Sequence, residues 1–476
     1  MLLILVGRLA QFFLLFATIK ISTTLLSPAE MAKVYLMASL FSFFALIFIN
    51  PVGMFINRRI HSWNHAGRVQ EYLNYFWLYL VSISLFAYFL LELLFKFKLF
   101  QLQSETGYIS ALVVGTLLFA TINQSVIPGL NLLGFREWFV GLTIATTAVG
   151  VVVAVLLIYL FKPIAEFWQS GILIGYALVA VLGWRVFYRK VSTRSIAPRP
   201  ASPHLIVILK FSLPIAVAVG LGWIQTQSYR FIMESIIGLH ALGLFAAGYG
   251  ISAGIISAFE SVFTTYLQPI FYKNISNDNV TEQSKAWSEY AGTIFPSLML
   301  VGFVVLATAP ELTRAMLGSE YVSSSQYIVW GVIAELARVA SGIYGMIAHA
   351  RMKTRLLLFP SFAGASLSIA LIWWLMPIYA SNGVGAALMA SSVTVFVLTY
   401  AATHKEYETT FPHGMFIASI VMGAGLILLA EILRWMMGNN GSFVVIAIQL
   451  FVVGIFFMAG QYFLLRPILK GERAHE

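Results

Sequence analysis

The sequence predicts an all-α polytopic membrane protein, and three observations lead there. Of its residues 60% are apolar and only 10% charged, mean hydropathy is +0.87, and the apolar residues fall in runs of membrane-spanning length. Soluble domains carry about 25% charged residues, so this composition lies outside their range. A bilayer core about 30 Å thick needs about 20 mostly apolar residues per helix, and the chain holds about fourteen such runs. They are continuously apolar instead of alternating over segments of about ten residues, which excludes a barrel of strands.

In order, the runs occupy residues 2–26, 32–56, 73–95, 107–130, 139–161, 167–187, 206–229, 241–271, 290–309, 326–349, 357–379, 383–403, 414–435 and 443–465. The first is too long for a signal peptide's apolar core, carries Arg8 and Lys20 and has no small-residue cleavage site, so it reads as a membrane helix. The longest gaps, 57–72, 188–205 and 272–289, are too short for a catalytic module. Loops after even-numbered runs hold fifteen Lys and Arg, whereas loops after odd-numbered runs hold six. The positive-inside rule therefore puts the even loops and both termini in the cytoplasm, in a multi-pass plasma (inner) membrane protein. The net charge of +10 follows from this topology and from attraction to anionic membrane lipids, with no nucleic-acid partner needed. Cysteine is absent, which excludes disulfides and thiol catalysis.

The segment "RVFYRKVSTRSIAPRPASPH", Arg185 to His204, combines five basic residues with three prolines and follows the sixth run. It predicts a division into an N-lobe at 1–190 (helices 1–6), a cytoplasmic linker at 191–204, a C-lobe at 205–405 (helices 7–12), and helices 13 and 14 with a short cytoplasmic tail at 406–476. Six is even, so a second bundle of six enters the membrane in the same sense, as parallel repeats do. "LLSPAEMAKVYLMASL" (25–40) aligns without gaps to "IIGLHALGLFAAGYGI" (236–251), a faint internal similarity at equivalent turns.

Several spans carry ionisable groups, although an isolated charge at the bilayer centre costs about 2.5–3.5 kcal/mol on insertion scales. At about 100° per residue, Gly331, Glu335, Arg338, Gly342, Gly345 and His349 share a sector of about 80° on the tenth run. On the seventh, Gly220, Gln227, Arg230 and Glu234 share another sector of about 80°. On the eighth, Glu260 lies with Ser257, Thr264, Gly250, Gln268 and Ser261 in about 100°. Arg8, Gln11, Thr18 and Ser22 share a face of the first run, and Lys20 points elsewhere. Two readings stay open. Glu335 with Arg338, and Arg230 with Glu234, can neutralise each other locally, while Arg8 and Lys20 can snorkel to the two surfaces. Alternatively, the polar faces converge on a hydrated path. Glu260 has no cation within a turn on its own helix, which makes it the candidate protonatable group. Glu92 with Lys96 and Glu431 with Arg434 lie at helix ends and read as interfacial pairs.

Motifs for chemistry are missing. There is no G-x-x-x-x-G-K-[ST] phosphate loop and no H-E-x-x-H, and Asp278 is the single aspartate. Metal-dependent transfer and P-loop ATP hydrolysis lose their usual residues, so no catalytic residue, metal ligand or cofactor is predicted. Transport, or metal-free transfer of a lipid-linked glycan, remains.

"LKFSLPIAVAVGLGWIQTQSYRFIMESIIGLHALGLFAAGYGIS", Leu209 to Ser252, resembles the start of the second lobe in Wzx-type polysaccharide and O-antigen flippases of the multidrug/oligosaccharidyl-lipid/polysaccharide (MOP) exporter superfamily. Ser212, Leu213 and Pro214 match the family's opening, Arg230 matches the arginine of its Asp-Arg pair, and Gly243, Phe245 and Ala246 match the entry to the next helix. Tyr229 stands where those relatives have the acid. Leu25 to Arg59 is similar to the family's first hairpin, with Ala32 at a usual glycine. The resemblance implies a MATE-like pair of six-helix lobes around a cavity. It implies translocation of an undecaprenyl-diphosphate-linked oligosaccharide from the cytoplasmic to the outer leaflet by alternating access, for surface polysaccharide (O-antigen) biosynthesis, with proton or ion antiport as the coupling. Arg8, Lys20, Arg230 and Arg338 are then the candidate diphosphate ligands, and Glu260, Glu335, Gln227 and Glu234 the candidate coupling and cavity residues. A polysaccharide polymerase and a chain-length regulator are the candidate protein partners. Three other readings stay open: a glycan polymerase or ligase, a multidrug or cation antiporter of the same superfamily, and a lipid II flippase.

Overall fold

A computed structural model describes residues 2–57, 59, 63, 69–97, 106–190, 205–275, 280–351, 353–404, 413–438 and 442–472. The 191–204 linker and Asp278 lie outside the described residues. The described chain is helical throughout, with twelve helices long and apolar enough to cross a membrane. The apolar runs made this outcome necessary, because backbone polar groups in lipid must be satisfied within the segment.

Two compact units divide the chain, Met1–Gly243 and Leu244–Glu476. The first contains α1 (Leu2–Leu25), α2 (Pro28–Phe44), a π-helical turn (Ala45–Ile49) and α3 (Asn50–Asn57). It continues with α4 (Val69–Lys96), α5 (Thr106–Leu132), α6 (Arg136–Leu160), α7 (Ala165–Lys190), α8 (Leu205–Gln227) and α9 (Tyr229–Ile237). Ser27 caps α2 by accepting the Glu30 amide at 3.4 Å, with Pro28 in the first turn, where its missing N–H costs nothing. Glu30 reaches further, since its Oε2 accepts the Ala165 amide at 2.8 Å and so caps α7. The α6–α7 pair packs backbone to backbone: a Cβ on Gly171 would overlap Ala154, and one on Gly175 would overlap Gly150. Such small-residue seams let helices approach where lipid supplies no hydrophobic drive.

The second unit follows from α10 (Leu239–Asn274), which begins just before the division, after Gly238 ends α9 at φ 87°. It holds α11 (Val280–Ala307), α12 (Ala309–Met316), a 3-10 segment (Ser319–Tyr327) and α13 (Ile328–Ala350), then α14 (Leu358–Thr403), α15 (His413–Met437) and α16 (Phe443–Glu472). α11 packs against α13, α15 and α16; fully buried Trp287 donates to the Ile343 carbonyl at 3.0 Å, and Gln461 donates to the Ser297 carbonyl at 2.9 Å.

The spans predicted at 357–379 and 383–403 form one 46-residue element, interrupted at Ala380 with φ 48° and ψ −133°. The break follows Pro377, so these are two passes joined by a turn too tight for any loop residues. Counting them separately, and adding α1 with its shorter apolar stretch Ala10–Leu25, gives the about fourteen passes expected from bilayer thickness.

Candidate functional site

Of the ionisable residues singled out above, Glu260, Glu335 and Arg338 come together in the second unit, while Arg230 sits in a polar seam of the first. In the first, α8 and α9 lie against α2 and meet it through a polar seam. Trp223 Nε1 donates to the Ser39 carbonyl (3.1 Å) and to Ser42 Oγ (3.0 Å). Ser39 Oγ donates to Gln227 Oε1 at 3.2 Å. Arg230 Nη1 donates to the Tyr35 carbonyl at 3.1 Å and to Ser39 Oγ at 2.9 Å, and its Nε donates to Tyr229 Oη at 3.3 Å. Its guanidinium also lies 5.4 Å from the Tyr35 ring centroid and 5.7 Å from that of Tyr229. Arg230 is half-buried, and among the described residues its contacts are with neutral groups only. It is a positive charge in a membrane span, held in place by neutral groups among the described residues.

The Tyr35 carbonyl, which also lies 3.0 Å from Ser39 Oγ, accepts from Arg230 as an oxygen with two lone pairs. Ser39, four residues from both Tyr35 and Phe43 on the α2 face, is the hub that orients both Gln227 and Arg230. Glu234 and Lys20 are half-buried on α9 and α1. Arg8 lies on α1, with its side chain outside the described residues.

The second cluster joins α10 to α13. Arg338 Nε donates to Glu335 Oε2 at 2.7 Å, and its Nη2 donates to Glu260 Oε2 at 2.5 Å. The local i,i+3 pair therefore exists, and a third member crosses from another helix. Two ionised carboxylates on one guanidinium leave a negative charge uncompensated. The Glu335 side chain is 10% exposed, Glu260 23% and Arg338 40%, so the arginine and Glu260 can be reached from outside while Glu335 is shielded. Glu260, with no cation within a turn on its own helix, has one through the fold.

A third arrangement escaped the sequence. Arg434 does pair with Glu431, at 2.5 Å, but it also grips buried Glu311 of α12 with both Nε and Nη2, at 2.8 Å each, and bonds the Ala307 carbonyl. Arg434 is thus a strap from α15 to the α11–α12 corner. Ser39, Trp223 and Glu311 gave no signal in the sequence, since each acquires its role from a partner more than a hundred residues away. No group of His, Cys, Asp and Glu suited to a metal ion occurs among the described residues.

Fold and clusters together define a class, a multi-pass α-helical membrane protein with charged and polar groups held inside its spans. The comparisons with known proteins give that class its content. Over 98% of this chain and 99% of the other, the fold is similar to that of the lipid II flippase MurJ in an inward closed conformation, with a TM-score of 0.66 and 14% identity. It is similar to an inward-facing multidrug resistance MATE family transporter of the MOP superfamily over 85% of this chain and 99% of that one, with a TM-score of 0.63 and 13% identity. A Vibrio cholerae MATE transporter matches over 84% and 93%, with a TM-score of 0.52 and 14% identity. No protein-family model matches the chain, and no curated protein matches its sequence.

Proposed function

We propose that this protein is a flippase that carries a polyprenyl-diphosphate-linked oligosaccharide from the cytoplasmic to the outer leaflet of the plasma membrane by alternating access. The observation that carries this reading is Arg230, a cation embedded in a membrane span and oriented by neutral oxygens, within a fold shared with exporters. A charge left unneutralised in a span is costly and marks function by default. A guanidinium fits phosphate oxygens with two parallel hydrogen bonds, and it exchanges its neutral partners for a diphosphate at no loss of an ion pair. An inside-negative potential adds drive, about 2.3 kcal/mol per negative charge moved outward through 100 mV.

Arg338 takes part differently. Its guanidinium is occupied by Glu260 and Glu335, so it becomes available to an anion only when a proton or cation relieves one of them. Cation entry and head-group handling are in this way linked at one cluster. Lys20 and Arg8 on α1 add further positive charge for the same cargo. The moving bodies in this proposal are the six-helix lobes at 1–190 and 205–405, with the even loops and both termini cytoplasmic, and an O-antigen or other surface polysaccharide unit is the cargo. A polymerase and a chain-length regulator act on that product.

A second reading, lipid II as the cargo, is favoured by the nearly full coverage of the MurJ likeness, which includes α15 and α16, against 85% for the MATE transporter. Deleting the gene separates the readings. A flippase for surface glycan strands lipid-linked repeat units in the cytoplasmic leaflet and leaves peptidoglycan synthesis intact, a lipid II flippase strands lipid II, and a polymerase leaves single units displayed outside. The last outcome would end the transport proposal.

A further inference from the structure

A cavity of about 250 Å³ opens within the first unit, away from the Arg230 seam. Asn50 and Gly53 of α3, Trp77 of α4, and Thr121, Gln124 and Ser125 of α5 supply its polar and aromatic wall, and no charged side chain lines it. Such a composition excludes a phosphate, a carboxylate or an ammonium ion as the favoured occupant, since nothing present would balance the charge.

The wall is built to leave hydrogen-bonding capacity open. Asn50 and Gln124 are exposed to the cavity, and among the described residues neither side-chain amide has a hydrogen-bond partner. Each amide offers both a carbonyl acceptor and N–H donors. Gly53 faces open space, with nothing within 4 Å of where a Cβ would stand. The π-helical turn Ala45–Ile49 immediately precedes Asn50, whose N–H reaches back to the Ala45 carbonyl. Pro51 has no N–H to restore the regular ladder, and the Phe48 carbonyl is satisfied by Tyr79 Oη at 2.7 Å. Single π turns inside α-helices recur at functional sites, and this one sets the phase in which Asn50 and Gly53 meet the cavity.

Trp77 is held rigid. Its Nε1 donates to Tyr188 Oη at 3.2 Å, Tyr188 Oη donates to Asn74 Oδ1 at 3.3 Å, and the Trp184 ring lies 4.7 Å from both the Trp77 and the Tyr188 rings. A fixed indole face beside two unengaged amides is complementary to a ligand with an apolar ring face and a rim of hydroxyls, while the Ser125 hydroxyl, which donates to the Thr121 carbonyl at 2.8 Å, can still accept. The volume falls just below the roughly 300 Å³ at which drug-sized sites begin, which limits the occupant to one or two rings.

We propose that this cavity binds a neutral sugar residue. The site stands on its own geometry; only the source of the sugar, the glycan of a lipid-linked cargo rather than free saccharide, rests on the flippase reading.

The test is calorimetric titration of the full-length protein in lipid nanodiscs. The probes are methyl glycosides of glucose, galactose and N-acetylglucosamine, and undecaprenyl-diphosphate-linked N-acetylglucosamine. Wild type is expected to bind at least one neutral glycoside saturably. Asn50→Ala combined with Gln124→Ala should weaken that binding at least tenfold. Gly53→Leu should abolish it by filling the space, with unchanged size-exclusion behaviour showing that the fold survives. Arg230→Ala should leave glycoside binding unchanged and weaken only the lipid-linked probe. No saturable binding of any neutral sugar to wild type, or equal binding by Gly53→Leu and by the amide variant, overturns the proposal. Loss of lipid-linked binding in Arg230→Ala alone, with Gly53→Leu unaffected, removes the sugar site and keeps the flippase reading. Glycoside binding blocked by Gly53→Leu, in a protein whose deletion strands no lipid-linked unit, does the reverse.

Discussion

In the first unit Arg230 leans on a carbonyl, a hydroxyl and two tyrosine rings, whereas in the second Arg338 and Arg434 are each clasped by two carboxylates. All three arginines lie in membrane-spanning helices, yet they serve different ends. A cation held by neutral groups keeps its charge available to a visiting anion, at the cost of partial desolvation without compensation. Cations inside carboxylate pairs join helices and are closed to an anion while both acids hold them, and removing one partner leaves an uncompensated charge behind. Residue type alone therefore does not separate an arginine with an open charge from one already paired; the charge of its partners does.

Substitutions can break this contrast or sharpen it. The largest effect is expected from Arg230→Ala, which removes charge-assisted bonds worth about 1.5–3 kcal/mol to the cargo and should cut export about tenfold to a hundredfold. Membrane insertion and thermal stability should stay close to wild type. Export measured as surface glycan, with unflipped lipid-linked units counted in parallel, checks it, and full activity would remove Arg230 from the head-group site. Next is Arg434→Ala, which strands buried Glu311 and should destabilise the second unit by about 3 kcal/mol, read as a lower unfolding temperature in detergent. An export defect there should track folded protein level only.

Arg338→Ala should destabilise less than Arg434→Ala, because its pair is partly exposed and solvent screens it. Adding Glu260→Gln and Glu335→Gln should restore stability without restoring export. Restored export in that triple variant would leave the cluster a packing device and nothing more. The smallest effect is expected for Ser39→Ala, about 1 kcal/mol for one hydrogen-bonded hydroxyl. It loosens both Gln227 and Arg230 without touching their charge, so export should fall by several-fold with the unfolding temperature nearly unchanged. An effect as large as that of Arg230→Ala would mean that orientation, not charge, governs the seam.

Much of the helical architecture was legible in the sequence because a span is a local property: about twenty apolar residues declare a helix whatever surrounds them. The same locality explains the misjudged details. Residues 357–379 and 383–403 read as two spans and are two helices, but hydropathy does not show that the break between them falls at Ala380. The pair Glu431–Arg434 read as an interfacial pair at a helix end, without its third member, because Glu311 lies 123 residues away. Glu260 read as a solitary acid because helical spacing looks only a turn or two along its own helix, while Arg338 approaches from α13. The π turn at Ala45–Ile49 was foreshadowed only by Pro51.

Hydropathy, charge bias between loops and the absence of catalytic motifs determined on their own that this chain is a many-span helical membrane protein carrying costly buried charge. Which charges are neutralised, which are left open, and where amides go unpaired beside a fixed indole were decided only by tertiary packing. Electrostatic and hydrogen-bond energies depend on distances of a few ångströms between residues far apart in the chain, and no local pattern encodes those distances.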